Sequence, residues 1–274
     1  MENNNIKSMK LYNFIDRVYN ELRELGKATS GPLSVNELSS FDQLHYHGTQ
    51  AIDFAIKKFN YNHKSKILEI GSGLGGPARY LAKKTGANIT AVELQEDHHL
   101  VGIDLTKRCG LENNVEHLCG DFLDMSLPAE NYDAVVSWLA LYHIPDRDKL
   151  LESCLKILKP NGYFFAEDFA FHQPFSDGEK SELSKDFFAN YIVSYPDYNS
   201  DLIKAGFSEI VSDDMTISWS DFTKSRHKAY KDNIARHTRV HNEAVVENML
   251  YFYNFAMRYL DGGKLGGIRI YAKK

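Results

Sequence analysis

The sequence predicts an α/β fold: a doubly wound, mostly parallel sheet with an antiparallel last strand, plus a helical lid or insertion. Three observations predict it. From residue 66 to 169, short β-rich runs alternate with helical patterns, as a parallel sheet covered on both faces requires. A glycine-rich run, Gly71 to Gly76, follows the first strand and opens a helix. Beyond 169 the crossover pattern stops. Two late strand-like runs, 209–218 and 266–272, suggest an antiparallel hairpin at a sheet edge, with the helices between them as an insertion.

Taken in order, residues 9–25 space apolar side chains three and four apart, an amphipathic helix ended by Gly26. A loop rich in Ser, Gly and Pro covers 28–40. Strands are expected at 66–70, 88–92, 115–119, 132–137 and 163–169, and helices at 77–84, 97–109 and 147–158. Lys159 to Gly162 reads as a turn. Helices follow at 178–193 and 200–205, the second ended by Gly206, and a long helical stretch at 219–260. The expected domains are an N-terminal helical lid, 1–50, and a domain over 51–274 with its helical insertion at about 219–262.

The chain has 274 residues, 43% hydrophobic and 25% charged, which excludes disorder, collagen-like repeats and coiled coil as its main architecture. Its apolar runs fall short of the roughly 18–20 residues of a membrane span, and its first residues lack a signal-peptide core. Three cysteines without C-x-x-C spacing argue against a disulfide framework and for a reducing cytoplasm. A net charge of −5 argues against nucleic acid as a partner. Residues 219–274 nevertheless hold 11 Lys and Arg against 5 Asp and Glu. That excess is either a solvated helix face or an attraction for an anionic substrate group.

Gly71, Gly73 and Gly76 satisfy G-x-G-x-x-G, and Glu93 lies 20 residues past Gly73 at the end of the next strand. Such glycines let a cofactor approach the backbone, and such an acid binds ribose hydroxyls. Four features favour a cofactor other than a dinucleotide. Glu69 would repel a pyrophosphate but suits a cationic amino-acid group. Asp121, in Gly120-Asp121-Phe122, can accept an adenine amine. The 159–162 turn leads into a fifth strand, and the late hairpin closes the edge. On these residues, from about 41 to 169, the sequence resembles the Rossmann-like class I methyltransferases that use S-adenosylmethionine and release S-adenosylhomocysteine. Gly75 to Ala82 narrows the resemblance to a small-molecule group. It includes phosphoethanolamine and sarcosine/dimethylglycine N-methyltransferases and tocopherol and sterol C-methyltransferases. Phe41 to Gln50 resembles the segment that covers the cofactor's methionine end in N-methylating members.

The resemblance implies a set of contacts. Glu69, Gly71 and Gly73 would meet the methionyl amino group and the backbone side of the cofactor. Glu93 would take the ribose hydroxyls, Leu94 and Gln95 would flank the adenine, and Asp121 and Phe122 would hold its amine and ring. Ser137 and Trp138 would lie near the methionine, with Gln43, Tyr46 and Gly48 closing over it. His143 is the expected base, assisted by a tyrosine among Tyr12, Tyr19 and Tyr46; its alternative is a structural histidine. The phosphoethanolamine enzymes carry an Asp four residues before that His. Here Leu139 stands there, which points to a less polar or differently held acceptor. Tyr142, Phe169, Tyr191, Tyr195 and Tyr198 are candidates for a cage around a methylated ammonium. Arg226, Lys228, Arg236, Arg239 and Arg269 are candidates for a substrate anion. His45, His47, His98 and His99 lack metal-ligand spacing, so no metal is expected.

The expected function is methylation of a small molecule, foremost at an amine nitrogen, by a monomer or homodimer. The alternatives are O- or C-methylation of a lipid-like or aromatic acceptor, an NAD(P) oxidoreductase, and a catalytically silent binding domain.

Overall fold

The computed structural model describes residues 15–27 and 30–274. Five strands run parallel: β1 (Lys66–Ile70), β2 (Asn88–Glu93), β3 (Val115–Cys119), β4 (Tyr132–Trp138) and β5 (Leu158–Phe171). A two-residue strand, β6 (Val193–Ser194), pairs with the end of β5. β7 (Ser208–Asp214) and β8 (Leu265–Lys273) complete the sheet, in the order β3-β2-β1-β4-β5-β8-β7. β8 is antiparallel to both of its neighbours, so the late hairpin forms as expected. The order reverses between β1 and β4, and open α/β sheets bind ligands in the crevice at such a switch point.

Alternation along the strands sends side chains to opposite faces. Leu68, Ile70, Val135 and Phe164 pack on one face against Leu150, Leu151 and Cys154 of α6 (Arg147–Ile157). Ile67, Ile89, Val136 and Phe165 pack on the other against α3 (Thr49–Phe59) and α4 (Gly76–Thr85). Each such burial contributes about 1.5–3 kcal/mol. A third, aromatic cluster of Tyr46, Tyr142, Phe169, Phe187, Trp219 and Phe255 lies between the sheet and the inserted helices.

Several expected boundaries move. The early helix is seen as α1 (Arg17–Glu24), and the part before residue 15 lies outside the described residues. The 159–162 turn is a bulge inside β5: Tyr132 pairs with Leu158 and Ala134 with Tyr163, so these four residues stand opposite Asp133. Lys159 donates to Asp133 there, at 2.7 Å. The helix expected to reach 193 stops as α7 (Asp177–Phe187), because Phe188 turns left-handed and frees the chain to pair as β6. α8 (Tyr195–Ala205) starts before residue 200, since Ser194 caps it. The strand expected at 209–218 ends at Asp214, whose carboxylate accepts from Thr216 N and starts α9 (Thr216–Asp232). The 219–260 stretch is three helices: α9, α10 (Ile234–Val240) and α11 (Glu243–Asp261). Asn233 lies at the first break, and Asn242 caps α11 through Val245 N.

Two contacts fasten the N-terminal segment. Arg79 of α4 and Asp42 are both fully buried and pair at 2.9 Å. Arg79 also donates to Gly102 O and Thr106 Oγ1, both at 3.3 Å. Gly76 makes room for this, because a Cβ there would lie 2.4 Å from Asp42 O. On the far side, α1 is tied to α10 by Glu21–Arg236 at 2.6 Å and Glu24–Arg239 at 2.5 Å.

Removing one member of a buried ion pair strands the other charge and costs about 3–5 kcal/mol. Asp42→Ala should therefore lower the urea-unfolding free energy by about that much. A loss below about 1 kcal/mol, the level of an exposed pair, would show that the pair is not what holds the segment down.

Candidate active site

The glycine loop sits at the carboxyl end of β1. Gly71 N and Ser72 N both donate to Val92 O, at 3.0 and 2.9 Å, and Gly75 N donates to Ser72 O. Gly71 is left-handed, and a Cβ there would come within 2.3 Å of Ala140 Cβ. Gly71 thus seats the loop after β4 as well as shaping its own turn. Gly73 is also left-handed, and its N–H donates to Glu93 Oε2 at 2.7 Å. Glu93 Oε1 accepts from Gln95 N at 2.8 Å. Each carboxylate oxygen keeps capacity for a further donor.

Buried acceptors without partners surround this loop. Glu69 is 1% exposed, and its Oε2 has no hydrogen bond. Burial drives its pKa well above the usual carboxylate range, and the nearby Arg79 opposes the shift. Gln43 Oε1 and Gln95 Oε1 are likewise buried and unbonded. An unmet buried acceptor costs about 1–3 kcal/mol, so this ring suits a ligand rich in donors, such as an ammonium with a diol. The amino and ribose groups of S-adenosylmethionine fit that requirement.

The other expected cofactor residues take varied positions. Leu94 is exposed, while the Gln95 side chain is buried. Asp121 is exposed and accepts from Leu123 N at 2.9 Å, and Phe122 packs into the main core. Ser137 is buried and its hydroxyl donates to Ile70 O, tying β4 to the end of β1. Trp138 is buried, its ring 6.0 Å from that of His45. Gly48 starts α3, and its carbonyl accepts from His45 Nε2 at 3.0 Å.

The loop after β4 shapes the second half of the site. Leu139 is held left-handed, φ 61°, by its N–H to Glu167 O at 2.7 Å, a strained conformation for a branched side chain. Tyr142 N donates to Asp168, whose other oxygen accepts from Tyr198 OH at 3.1 Å. Burial pushes Asp168 up to about 7, with Arg147 opposing. A cavity of about 180 Å³ lies beside this loop, walled by the 40–46 segment and by α1, α9, α10 and α11.

The cavity gathers Gln43, Tyr46, Tyr142, Phe169 and Arg226 from the expected residues, but not the others. Tyr46 stacks on Trp219 at 4.0 Å, and burial raises its pKa, so it stays a neutral phenol. Tyr191 is exposed, and Tyr195 stacks on His172 instead. Tyr198 lies under the Arg147 guanidinium. Arg269 is no free anion ligand: it pairs with buried Glu167 at 2.6 Å and stacks on Phe54 at 3.9 Å. Arg236 and Arg239 pair with α1, and Lys228 with Asp232. Tyr19 packs beside Val18 and Leu22 rather than lining the cavity, and Tyr12 lies outside the described residues.

His143 does not line the cavity, although its ring centroid is 3.9 Å from that of Tyr142, which does. Its Nδ1 donates to Phe188 O at 3.1 Å, and its Nε2 is buried and unbonded. Burial lowers its pKa to about 4. The cavity also contains residues the sequence reading did not single out: Arg17, Phe187, Phe222, Tyr230, Phe252 and Tyr253. Their only signal was the helical spacing of the stretches that carry them, 9–25, 178–193 and 219–260. Among the described residues Glu21, His237 and His241 cluster at metal-ligand spacing. However, Arg236 bonds both Glu21 oxygens, and Arg17 and Arg226 line the same cavity, so the charge there disfavours a cation.

Crevice, glycine loop and acid-tipped second strand define a cofactor-binding α/β domain. Residues 68–166 match the family model for a methyltransferase domain, and this stretch is one, of the class that draws its methyl from S-adenosylmethionine. The chain is 28% identical over 190 residues to phosphoethanolamine N-methyltransferase of Plasmodium falciparum, covering 68% of this chain and 70% of that one. It is 37% identical over 99 residues to a sterol 24-C-methyltransferase of Gibberella zeae, covering 36% and 26%. Phosphoethanolamine N-methyltransferase 2 of Haemonchus contortus, solved with phosphomonomethylethanolamine and S-adenosylhomocysteine, shares the fold. The TM-score is 0.83 at 17% identity, over 98% of this chain and 59% of that one. Among the described residues no helix is long and apolar enough to cross a membrane.

An unfolded histidine takes up its proton near pH 6.5, whereas folded His143 does so only near 4. Between those values unfolding takes up a proton, so burial of His143 makes acid destabilising there. His143→Gln should therefore lose less stability than the parent between about pH 7 and about pH 5, read from urea midpoints. Equal losses would show that His143 titrates as an ordinary histidine.

Proposed function

We propose that the protein methylates a nitrogen of a small-molecule amine, using S-adenosylmethionine. The observation that carries this reading is the cavity beside the loop after β4, walled by Tyr46, Tyr142, Phe169 and Phe222. Such faces attract an ammonium or a partly methylated amine by cation–π interaction, at about 0.5–2 kcal/mol each. The reading holds Glu69, Gln43 and Glu93 responsible for the cofactor, with Asp121 and Gln95 near its base.

Bound S-adenosylmethionine supplies a methyl on a sulfonium, a leaving group that needs no further activation. An acceptor held as an ammonium would have to give up a proton before its nitrogen lone pair could take that methyl. The chain's main task is then to hold acceptor and methyl in line, worth up to about 7–11 kcal/mol of barrier. The strained Leu139 turn and the Asp168–Tyr198 bond keep Tyr142 fixed for that purpose. His143 is the candidate proton acceptor, because its Nδ1 bond to Phe188 O leaves an Nε2 lone pair.

One observation favours C- or O-methylation instead: His143 is not part of the cavity wall, and most of that wall is apolar. The three cysteines form no disulfide, which supports a cytoplasmic setting.

Release of S-adenosylhomocysteine over a panel of amines, phenols and sterols tests the choice. The expected outcome is turnover with an amine, reduced about 10²-fold or more in His143→Ala if that group is the base. Turnover only with phenols or sterols would replace this reading with the alternative. Glu93→Ala should weaken S-adenosylhomocysteine binding about tenfold or more, measured by titration calorimetry, through loss of charge-assisted bonds.

A further inference from the structure

The turn Leu141–His143 hangs on two consecutive residues of β5. Leu139 N, just before it, donates to Glu167 O, a backbone carbonyl that no proton can alter. Tyr142 N donates at 3.4 Å to Oδ1 of Asp168, a side chain that a proton can alter. Asp168 is 1% exposed, and its Oδ2 accepts from Tyr198 OH of α8 at 3.1 Å. The Tyr198 ring lies 3.8 Å under the Arg147 guanidinium of α6, and Arg147 Nε donates to Asp201 at 2.9 Å. Arg147 Nη2 is buried without a partner. A cation so placed favours the ionised carboxylate. The titratable and charged groups on this side of the sheet are Tyr142 and His143 from the turn, Arg147 and Cys154 from α6, and Tyr195, Tyr198 and Asp201 from α8. Ile268 faces Asp168 from β8, and beyond it Asp214 of β7 is exposed and bonded to Thr216 N. Tyr142 N, Phe169 N and Tyr198 OH all reach Asp168 as donors. A protonated Asp168 must donate in its turn, so protonation breaks or reverses one of these bonds.

We propose that Asp168 is a positioning residue for methyl transfer: its ionised carboxylate holds the Leu141–His143 turn on β5, and so sets where the cavity-lining Tyr142 and the candidate base His143 stand. The inference rests on the methyl-transfer reading and deepens it. Burial pushes Asp168 up to about 7, so the hold is made above that pH and loosens as pH falls through it. His143 itself takes up its proton only near 4, so the two groups separate on a pH profile.

The test is nuclear magnetic resonance of the full chain carrying nitrogen-15-labelled tyrosine, with and without saturating S-adenosylhomocysteine. The Tyr142 amide is assigned by its loss in Tyr142→Phe, and its proton shift is followed from about pH 5 to about pH 9. The expected result is a titration with its midpoint near 7, absent in Asp168→Asn. A Tyr142 amide that does not titrate, or titrates alike in Asp168→Asn, overturns the proposal. Tyr198→Phe keeps the ring under Arg147 but removes a donor to the carboxylate, so the midpoint should rise. That shift decides the matter if Asp168→Asn does not fold, and an unmoved midpoint overturns the proposal. With an acceptor found in the panel above, Asp168→Asn at pH 8 should lower kcat about tenfold or more and remove the acid limb near pH 7, with S-adenosylhomocysteine affinity unchanged. An unchanged kcat and pH profile would overturn the positioning role. If the amide titrates as expected but no acceptor turns over, the hold of Asp168 on the turn stands and the methyl-transfer reading is what falls.

Discussion

The buried pair of Arg79 and Asp42 is the constraint on which the rest of the site depends. Arg79 projects from the helix that the glycine loop opens, and Asp42 belongs to the segment that closes over that loop. Fully buried, neither charge can reach water, so each fixes the other. Gly76 leaves the space the approach needs. Gln43 follows Asp42 and bonds to it at 2.9 Å, which leaves its own carbonyl oxygen unbonded. Arg79 also moderates the burial of Glu69. One ion pair thus sets where the closing segment lies and the electrostatic background of the acid beneath it.

A second constraint is the meeting of two loops at the switch point. Gly71 lacks the Cβ that would strike Ala140, so the loop after β4 can sit on the glycine loop. Leu139, next to Ala140, is left-handed, and β5 holds this loop through Glu167 O and Asp168. Strain at such a position persists only where the surroundings over-determine it. Here two strands and two loops do so, and Tyr142 is delivered to the cavity wall. The inserted helices supply the opposite wall through aromatic packing, with Tyr46 stacked on Trp219 as the joint.

Around the glycine loop the acceptors Glu69 Oε2, Gln43 Oε1 and Gln95 Oε1 lack partners, as do Ser72 Oγ and the Arg79 Nε–H. Among the cavity-lining residues, Arg17 Nε, Tyr230 OH and His237 Nδ1 are also without partners. A native fold keeps few buried groups unsatisfied, and each calls for an explanation. A donor-rich, cationic cofactor would satisfy the acceptors around the loop.

Much of the sheet was legible in the sequence, because the information is local. β1 and β3, and all but the last residue of β2 and β4, follow from β-rich runs bounded by glycine or polar breaks, and Glu69 and Glu93 fall at or near strand ends by spacing alone. Helix boundaries beyond residue 169 were less legible. The stop at Phe188 depends on β6 finding β5, and the breaks at Asn233 and Asn242 depend on how three helices wrap an aromatic core. Side-chain roles followed the same division. Tyr142 was marked by its place after a strand and Phe169 by its place within one, but Arg269, Tyr195 and His143 looked equally suitable until their partners Glu167, His172 and Phe188 O were known. Nothing local distinguishes a paired arginine from an unpaired one. Residue type and period determined the strands, the glycine loop and its acids; only the tertiary structure decided which charges met, and so which arginines remained for a ligand.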